Sequence, residues 1–334
     1  MTRSPFGHAG QLLTIAGLLT LATCLTPPAM AAGTDYIFVS NEKSHDISVL
    51  DPNTHEIVKS IPTSRRPRDM KFNSDKTLLY VACGDDDVID VIDVATQEVV
   101  DQIPTGRSPE MFELSKDNTL LYVSNEENST VQVINIADKL IVHEIPTGAE
   151  PEGIMVSEDG SIFYATSEVA DMVHVIEAAS GAVIENIIVG TRPRRFIMTP
   201  DGTELWVSDE LSGTVSVIDR QTNTVKQVIE FLPPGFRKVD VTPVGMTLTE
   251  DGKTAFVTMG RANHVAFVDV ATKETLAYVL VGNRAWGVDL SRDEQTLYVT
   301  NGLSDDMSII DVADQKVLQS VQVGRVPHSV LVDD

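Results

Sequence analysis

Apolar and polar residues alternate along this chain in short runs, and the runs return at a nearly constant spacing. An aromatic residue followed by a small or β-branched one stands at Tyr36, Tyr80, Tyr122, Tyr164, Trp206, Phe256 and Tyr298, in steps of 44, 42, 42, 42, 50 and 42 residues. One copy shows the pattern. Residues 151–156 (Pro-Glu-Gly-Ile-Met-Val) read as a short apolar strand, and Ser157-Glu158-Asp159-Gly160 turns the chain back, Asp-Gly being a favoured hairpin pair. A second strand follows over 162–167, a third over 173–177 with the period-two alternation of a half-buried strand, and a fourth over 182–189. Gly190 then leads into the next proline, and Asp201-Gly202 and Asp251-Gly252 hold the same hairpin in other copies.

Four short antiparallel strands per unit, seven times over, predict an all-β fold: a seven-bladed β-propeller of four-stranded antiparallel blades. The period also suits WD40 repeats, but their Gly-His and Trp-Asp signatures are missing. The first repeat begins at Tyr36 with a second strand, while residues 327–334 read as a first strand with no blade after it. The C-terminal strand is therefore expected to pair with residues 36–41, completing blade one and leaving no open edge.

Composition adds bounds. With 42% hydrophobic residues in 334, the chain can bury a large core. A formal charge of -24 argues against nucleic acid as a partner and suits either a cationic partner or plain solubility. Residues 1–31 stand outside the repeat. Arg3, an apolar run over 12–25 and the small-x-small sequence Ala29-Met30-Ala31 read as a signal peptide, giving a periplasmic propeller over 32–334. Leu21-Ala22-Thr23-Cys24 is a lipoprotein-box alternative with an ill-fitting Thr. No later stretch is long and apolar enough to predict a membrane span. Cleavage would remove Cys24 and leave Cys83 alone, so no intramolecular disulfide is expected.

The second strand has a recognisable form: Tyr298-Val299-Thr300-Asn301 reads YVTN, and Tyr122-Val123-Ser124-Asn125 nearly so. With Val-x-Val-Ile-Asp third strands and Gly-x-x-Pro loops, the chain resembles the YVTN-repeat β-propeller family over its whole length past the leader. More narrowly it is similar to the secreted seven-repeat members associated with pyrroloquinoline quinone (PQQ)-dependent alcohol catabolism. That resemblance implies a place near a periplasmic quinoprotein dehydrogenase or cytochrome c, without implying an activity or a set of functional residues.

In such a blade the first strand is innermost, and the loop entering it shares a face with the loop between strands two and three. Ten of the fourteen arginines fall in the entering loops. The residues expected to point into the channel are Arg68, Glu110, Glu152, Arg194, Val244, Trp286 and His328, a ring too varied for simple packing. The candidate ligand-binding residues are Arg66, Arg68, Glu110, Glu152, Arg192, Arg194, Arg195, Arg284, Trp286 and His328. Guanidinium groups bind carboxylates bidentately and a confined mouth focuses their field, so an anionic small molecule is the expected ligand. Trp286 offers a stacking plate; PQQ, planar and polycarboxylate, is the ligand the resemblance suggests, and no cofactor is otherwise indicated. The alternative is that these arginines pair with acids of neighbouring blades, for which Asp69, Glu110, Glu150, Glu152 and Asp240 are available. Loops between strands two and three carry acids, including Glu42, Asp87, Glu126, Glu168, Glu210 and Asp305, and predict an acidic rim around a positive centre. That rim could steer a basic cytochrome.

No P-loop, Gly-x-Ser-x-Gly elbow or Cys-x-x-Cys-His haem motif is present, and no metal site is expected. Three functions stay open: a binding or accessory propeller without catalysis, a lactone hydrolase using His328 or Glu152 as base with an arginine at the oxyanion, and a surface scaffold.

Overall fold

The computed structural model describes Gly7, Thr34 and residues 36–333. The expected signal peptide and its lipoprotein alternative lie, Gly7 apart, outside the described residues. Among the described residues twenty-eight strands, β1 to β28 in chain order, form seven four-stranded antiparallel sheets. The innermost strands are β28 (Pro327–Val332), β4 (Pro67–Phe72), β8 (Pro109–Leu114), β12 (Pro151–Val156), β16 (Pro193–Met198), β20 (Met246–Leu248) and β24 (Ala285–Leu290), for blades one to seven. Each touches the next, and β24 returns to β28, so the ring is closed. Closure is made as expected: β28 pairs with β1 (Ile37–Asn41), Ile37 opposite Val332 and Phe38 opposite Leu331. The Thr34 amide and hydroxyl clamp the joint by donating to Asp333 at 2.7 and 2.5 Å.

The repeated aromatic is a wedge between blades. Tyr122 of blade three packs on Phe163 of blade four, with ring centroids 4.9 Å apart, in a cluster with Val131, Ile154 and Ile176. Tyr80 does the same against Phe112 and Leu121 of blade three. Burying each large side chain contributes roughly 1.5–3 kcal/mol, so each wedge helps hold neighbouring sheets together. The outermost strands are mostly exposed, with a single inward residue such as Ile61, Ile103, Ile145 or Ile229.

A bulge in the innermost strands aims the channel residues. The register of β12 against its neighbour slips between Pro151 and Ile154, and β16 repeats the slip between Pro193 and Phe196. Gly153 sits in the bulge because a Cβ there would lie 2.2 Å from the Arg194 carbonyl oxygen. Bulges re-aim side chains in this way. The YVTN hydroxyl spans the irregularity. Thr300 Oγ1 accepts the Gly287 amide at 2.8 Å in its own blade and donates to the His328 carbonyl of the next at 2.9 Å. Ser40, Ser124, Thr166, Ser208 and Thr258 make the same cross-blade bond to Arg68, Glu152, Arg194, Val244 and Trp286. Ala82 leaves blade two without it.

Candidate functional site: the channel mouth

Just before the innermost strand, Arg66, Arg192 and Arg284 take left-handed backbone angles, with φ of 62°, 59° and 62°. Non-glycine residues rarely adopt this region, and fixed partners hold them there. Their amides donate to the preceding blade, at His45 Nδ1 (3.1 Å), Asp171 Oδ1 (2.9 Å) and Asn263 Oδ1 (2.8 Å). Their carbonyls accept the amide of the first residue after the second strand: Gly84, Glu210 and Gly302. Asp87 and Asp305 serve Ser108 and Val326 in the same manner. These acids of the expected rim therefore act as backbone clamps.

The three arginines line a cavity of about 350 Å³ at this mouth, together with Arg68, Arg194, Arg261, Glu152, Trp286 and His328. With the seven copies aligned on the YVTN tetrapeptide, the position that follows it reads, around the ring, Glu42, Gly84, Glu126, Glu168, Glu210, Gly260 and Gly302. The glutamates turn inward. Glu42 meets Arg68 at 3.1 Å, Glu168 meets Arg192 at 2.7 Å and also Arg194, and Glu210 meets Arg192 and Arg194 at 3.3 and 3.6 Å. Glu152 holds Arg194 at 2.8 Å, and Glu110 holds Arg68 and, at 3.0 Å, Arg66. The centre is thus a mixed network of arginines and carboxyl groups where a positive one was expected, because the loops counted as rim reach the axis.

Blades six and seven depart from that pattern. Gly260 and Gly302 replace the glutamates there, and Arg261 and Arg284 line the cavity with no ion-pair partner among the described residues. The Arg284 guanidinium lies 4.5 Å over the Trp286 ring, with Arg194 at 5.2 Å from the same ring. In blade two the missing carboxylate has a different outcome: Arg66 leans over Gly84, its Nη1 3.1 Å from where a Cβ would stand.

In the cavity wall, His328 Nε2 accepts from Arg68 Nε at 3.1 Å and Arg195 Nη2 at 3.0 Å, while Nδ1 lies 3.0 Å from Ser329 Oγ. A guanidinium can only donate, so the Nε2 lone pair is in use and the proton sits on Nδ1. Burial and the surrounding arginines push the imidazole well below its ordinary value, keeping it neutral. Burial works against ionisation of Glu152, but Arg194 and its other neighbours outweigh it and hold the carboxyl at about 2. Burial and the adjacent Glu152 push Glu168 up to about 10.

Of the residues predicted from sequence, Arg66, Arg68, Glu152, Arg192, Arg194, Arg284, Trp286 and His328 line the mouth cavity. Glu110 lies buried behind it, and Arg195 lines a separate cavity at the opposite end. Val244, expected in the channel, is fully buried with its carbonyl taken by Ser208. Arg65, Arg107 and Arg237 pair with Asp86, Glu127 and Asp240 at exposed positions. Arg261 and the inward glutamates were not singled out as ligand residues; aligning the seven copies on the end of strand two is the signal that finds them. Cys83 is buried, its Sγ 3.6 Å from Asp90 Oδ2, and burial pushes the thiol up. Among the described residues no group of three or more His, Cys, Asp or Glu could hold a metal, and no helix is long and apolar enough to cross a membrane.

Comparison with known proteins follows this geometry. The model of the seven-bladed β-propeller lactonase family matches residues 102–231, and that of YNCE-like β-propellers matches 238–334. The cytochrome D1 heme domain model matches 32–157. The matches support a seven-bladed propeller family. No curated protein matches the propeller. Among solved structures, the periplasmic gluconolactonase PpgL of Pseudomonas aeruginosa superposes with a TM-score of 0.76 at 21% identity, covering 90% of this chain and 99% of that one. Hydrazine synthase of Kuenenia stuttgartiensis gives 0.74 at 21% identity, covering 84% and 93%. The dihydro-heme d1 dehydrogenase NirN gives 0.67 at 17%, covering 89% and 75%. At these identities the likeness shows the fold alone.

Proposed function

We propose that this propeller is a periplasmic binding protein whose channel mouth takes a small carboxylate ligand at Arg261 and Arg284. One observation carries the reading: among the described residues no carboxylate lies within ion-pair distance of these two cavity-lining guanidinium groups, while Arg66, Arg68, Arg192 and Arg194 beside them each have one. A bidentate carboxylate would complete the ring of charges that Gly260 and Gly302 interrupt. The indole of Trp286 is already in contact with Arg284, so a planar ligand such as PQQ would lie on the guanidinium-covered face. The link to PQQ-dependent alcohol catabolism, and to a quinoprotein dehydrogenase or cytochrome c as partner, rests on the repeat resemblance.

The test is calorimetric titration of PQQ and simple di- and tricarboxylates into wild type and into the Arg261→Ala/Arg284→Ala double variant. Binding that falls at least tenfold in the variant supports the site. A wild type that binds none of them, or a variant that binds equally well, overturns it.

Lactone hydrolysis is the second reading, favoured by the lactonase-family match over 102–231 and by the likeness to a periplasmic gluconolactonase. Two features oppose it. The His328 lone pair is engaged by two arginines, and Glu152 at about 2 is a weak base near neutrality. Gluconolactone turnover abolished by Glu152→Gln would establish this reading in place of the first.

A further inference from the structure

A second cavity, of about 340 Å³, lies at the far end of the channel. The hydrogen-bonded bar of Arg68, His328 and Arg195, reaching across from blades one and two to blade five, stands between it and the mouth.

Arg195 is only 8% exposed, and its Nη2 is committed to His328. Its Nε has no hydrogen-bond partner, and among the described residues no carboxylate lies within ion-pair distance, Glu152 and Asp69 attracting it only from further away. An unused donor on a buried guanidinium is costly, and this arginine lines the far cavity and not the mouth. Asp69 of blade two also lines this cavity and is 5% exposed; its Oδ2 takes a long 3.3 Å bond from the Phe112 amide, and among the described residues it forms no ion pair, Lys71 and Arg195 attracting it only from further away. The other charges are engaged: Lys71 with Glu113 at 2.7 Å, and Asp289 with the Val332 amide at 2.9 Å. Much of the remaining lining is apolar, including Met111, Met155, Met246 and Leu331. Thioether side chains adapt readily to ligands of varied shape.

A simple anion entering here would meet Asp69, Glu113 and Asp289. A simple cation would meet Arg195 and Lys71. A molecule carrying both charges satisfies each unmatched group. We propose that the far cavity binds a small zwitterion with an apolar tail, of the free α-amino-acid class, with its carboxylate on Arg195 Nε, its ammonium toward Asp69 and its side chain against the methionines. This inference does not depend on the mouth site.

The experiment is calorimetric titration of wild-type protein with L-leucine and L-methionine, beside the two halves of leucine, 4-methylpentanoate and isopentylamine. Saturable amino-acid binding with each half at least tenfold weaker is the expected result. No amino-acid binding, or equal binding of the acid alone, overturns the proposal. Arg195→Gln should abolish amino-acid binding; if that variant does not fold, Met246→Trp, which fills the cavity wall, serves instead. A folded variant that still binds leucine like wild type overturns the assignment to this cavity.

Discussion

The amide of Gly302 donates to the carbonyl of Arg284 at 3.0 Å, as the amide of Glu210 donates to the carbonyl of Arg192 at 2.9 Å. The two blades share one backbone frame here and differ in the side chain that follows the second strand. Glu210 reaches Arg192; Gly302 offers Arg284 no carboxylate, leaving it only the more distant charges of Glu210 and Glu42.

That difference can be reversed. A Cβ on Gly302 would meet nothing closer than the Pro327 carbonyl oxygen at 3.5 Å, and the residue does not need a left-handed backbone. Gly302→Glu should therefore fold and supply the missing carboxylate. We expect carboxylate binding at the mouth to weaken at least tenfold, with Gly302→Ala as the size control retaining it. Calorimetry on the two variants decides; undiminished binding in folded Gly302→Glu would place the ligand elsewhere.

The buried pair Glu152 and Glu168 should respond unequally to neutralisation. Glu168 stands at about 10 in the fold against an ordinary 4.5, so the native state keeps a proton that the unfolded chain releases. Its contribution to stability is complete below pH 4.5 and is lost as pH rises toward 10, by at most about 1.4 kcal/mol per pH unit. Glu152 at about 2 behaves oppositely: its contribution is present above 4.5 and lost as pH falls toward 2. Glu168→Gln mimics the protonated form and should be well tolerated at pH 7 and more stable than wild type at pH 9. Glu152→Gln removes the charge facing Arg194 and should cost about 3 kcal/mol at pH 7, since a broken buried pair leaves an uncompensated ion. Denaturant melts at pH 5, 7 and 9 check both; equal costs for the two variants would contradict the unequal protonation of the pair.

Much of this structure was legible beforehand because its signals are local. The strand alternation, the Asp-Gly hairpins and the 42-residue return each depend on near neighbours, and they led to the seven blades and to β28 beside β1. The site was legible only as far as the repeat carries it. Arg68, Arg194, Trp286 and His328 reach the mouth because the bulge turns inward the residue after the proline, or after Ala285 in blade seven. Val244 fails that rule: the insertion after Phe231 leaves β20 only three residues long, beginning at Met246. The pairing of Glu168 and Glu210 with Arg192 and Arg194 was not legible, because it depends on how far one blade's loop leans over the next blade's strand.

The hydroxyl ring makes a stability prediction. Thr300→Val removes the acceptor of the Gly287 amide and the donor to the His328 carbonyl, stranding two buried backbone groups. The expected cost is about 2 kcal/mol, within the range for buried unsatisfied groups. Ala82→Ser restores the missing member of the ring, placing a hydroxyl near the Glu110 carbonyl, and should gain about 1 kcal/mol. Denaturant midpoints at unchanged m-value measure both, and a destabilising Ala82→Ser would show that blade two has no room for the bond.

Deleting residues 326–334 tests the closure itself. The deletion strips β1 of one ladder partner, removes Val330 and Val332 from the cluster with Ile37, Val39 and Tyr298, and takes Asp333 from Thr34. It also removes His328, leaving Arg68 and Arg195 facing one another without the acceptor between them. The exposed edge of β1 would be a ready template for pairing with another chain. We expect the truncated protein to aggregate or to lose its cooperative thermal transition, followed by light scattering and circular dichroism. A synthetic peptide of residues 326–334 added during refolding should restore part of the transition. A truncated protein that melts cooperatively at the wild-type temperature would mean that blade one holds together on β1, β2 (Asp46–Leu50) and β3 (Ile57–Pro62) alone.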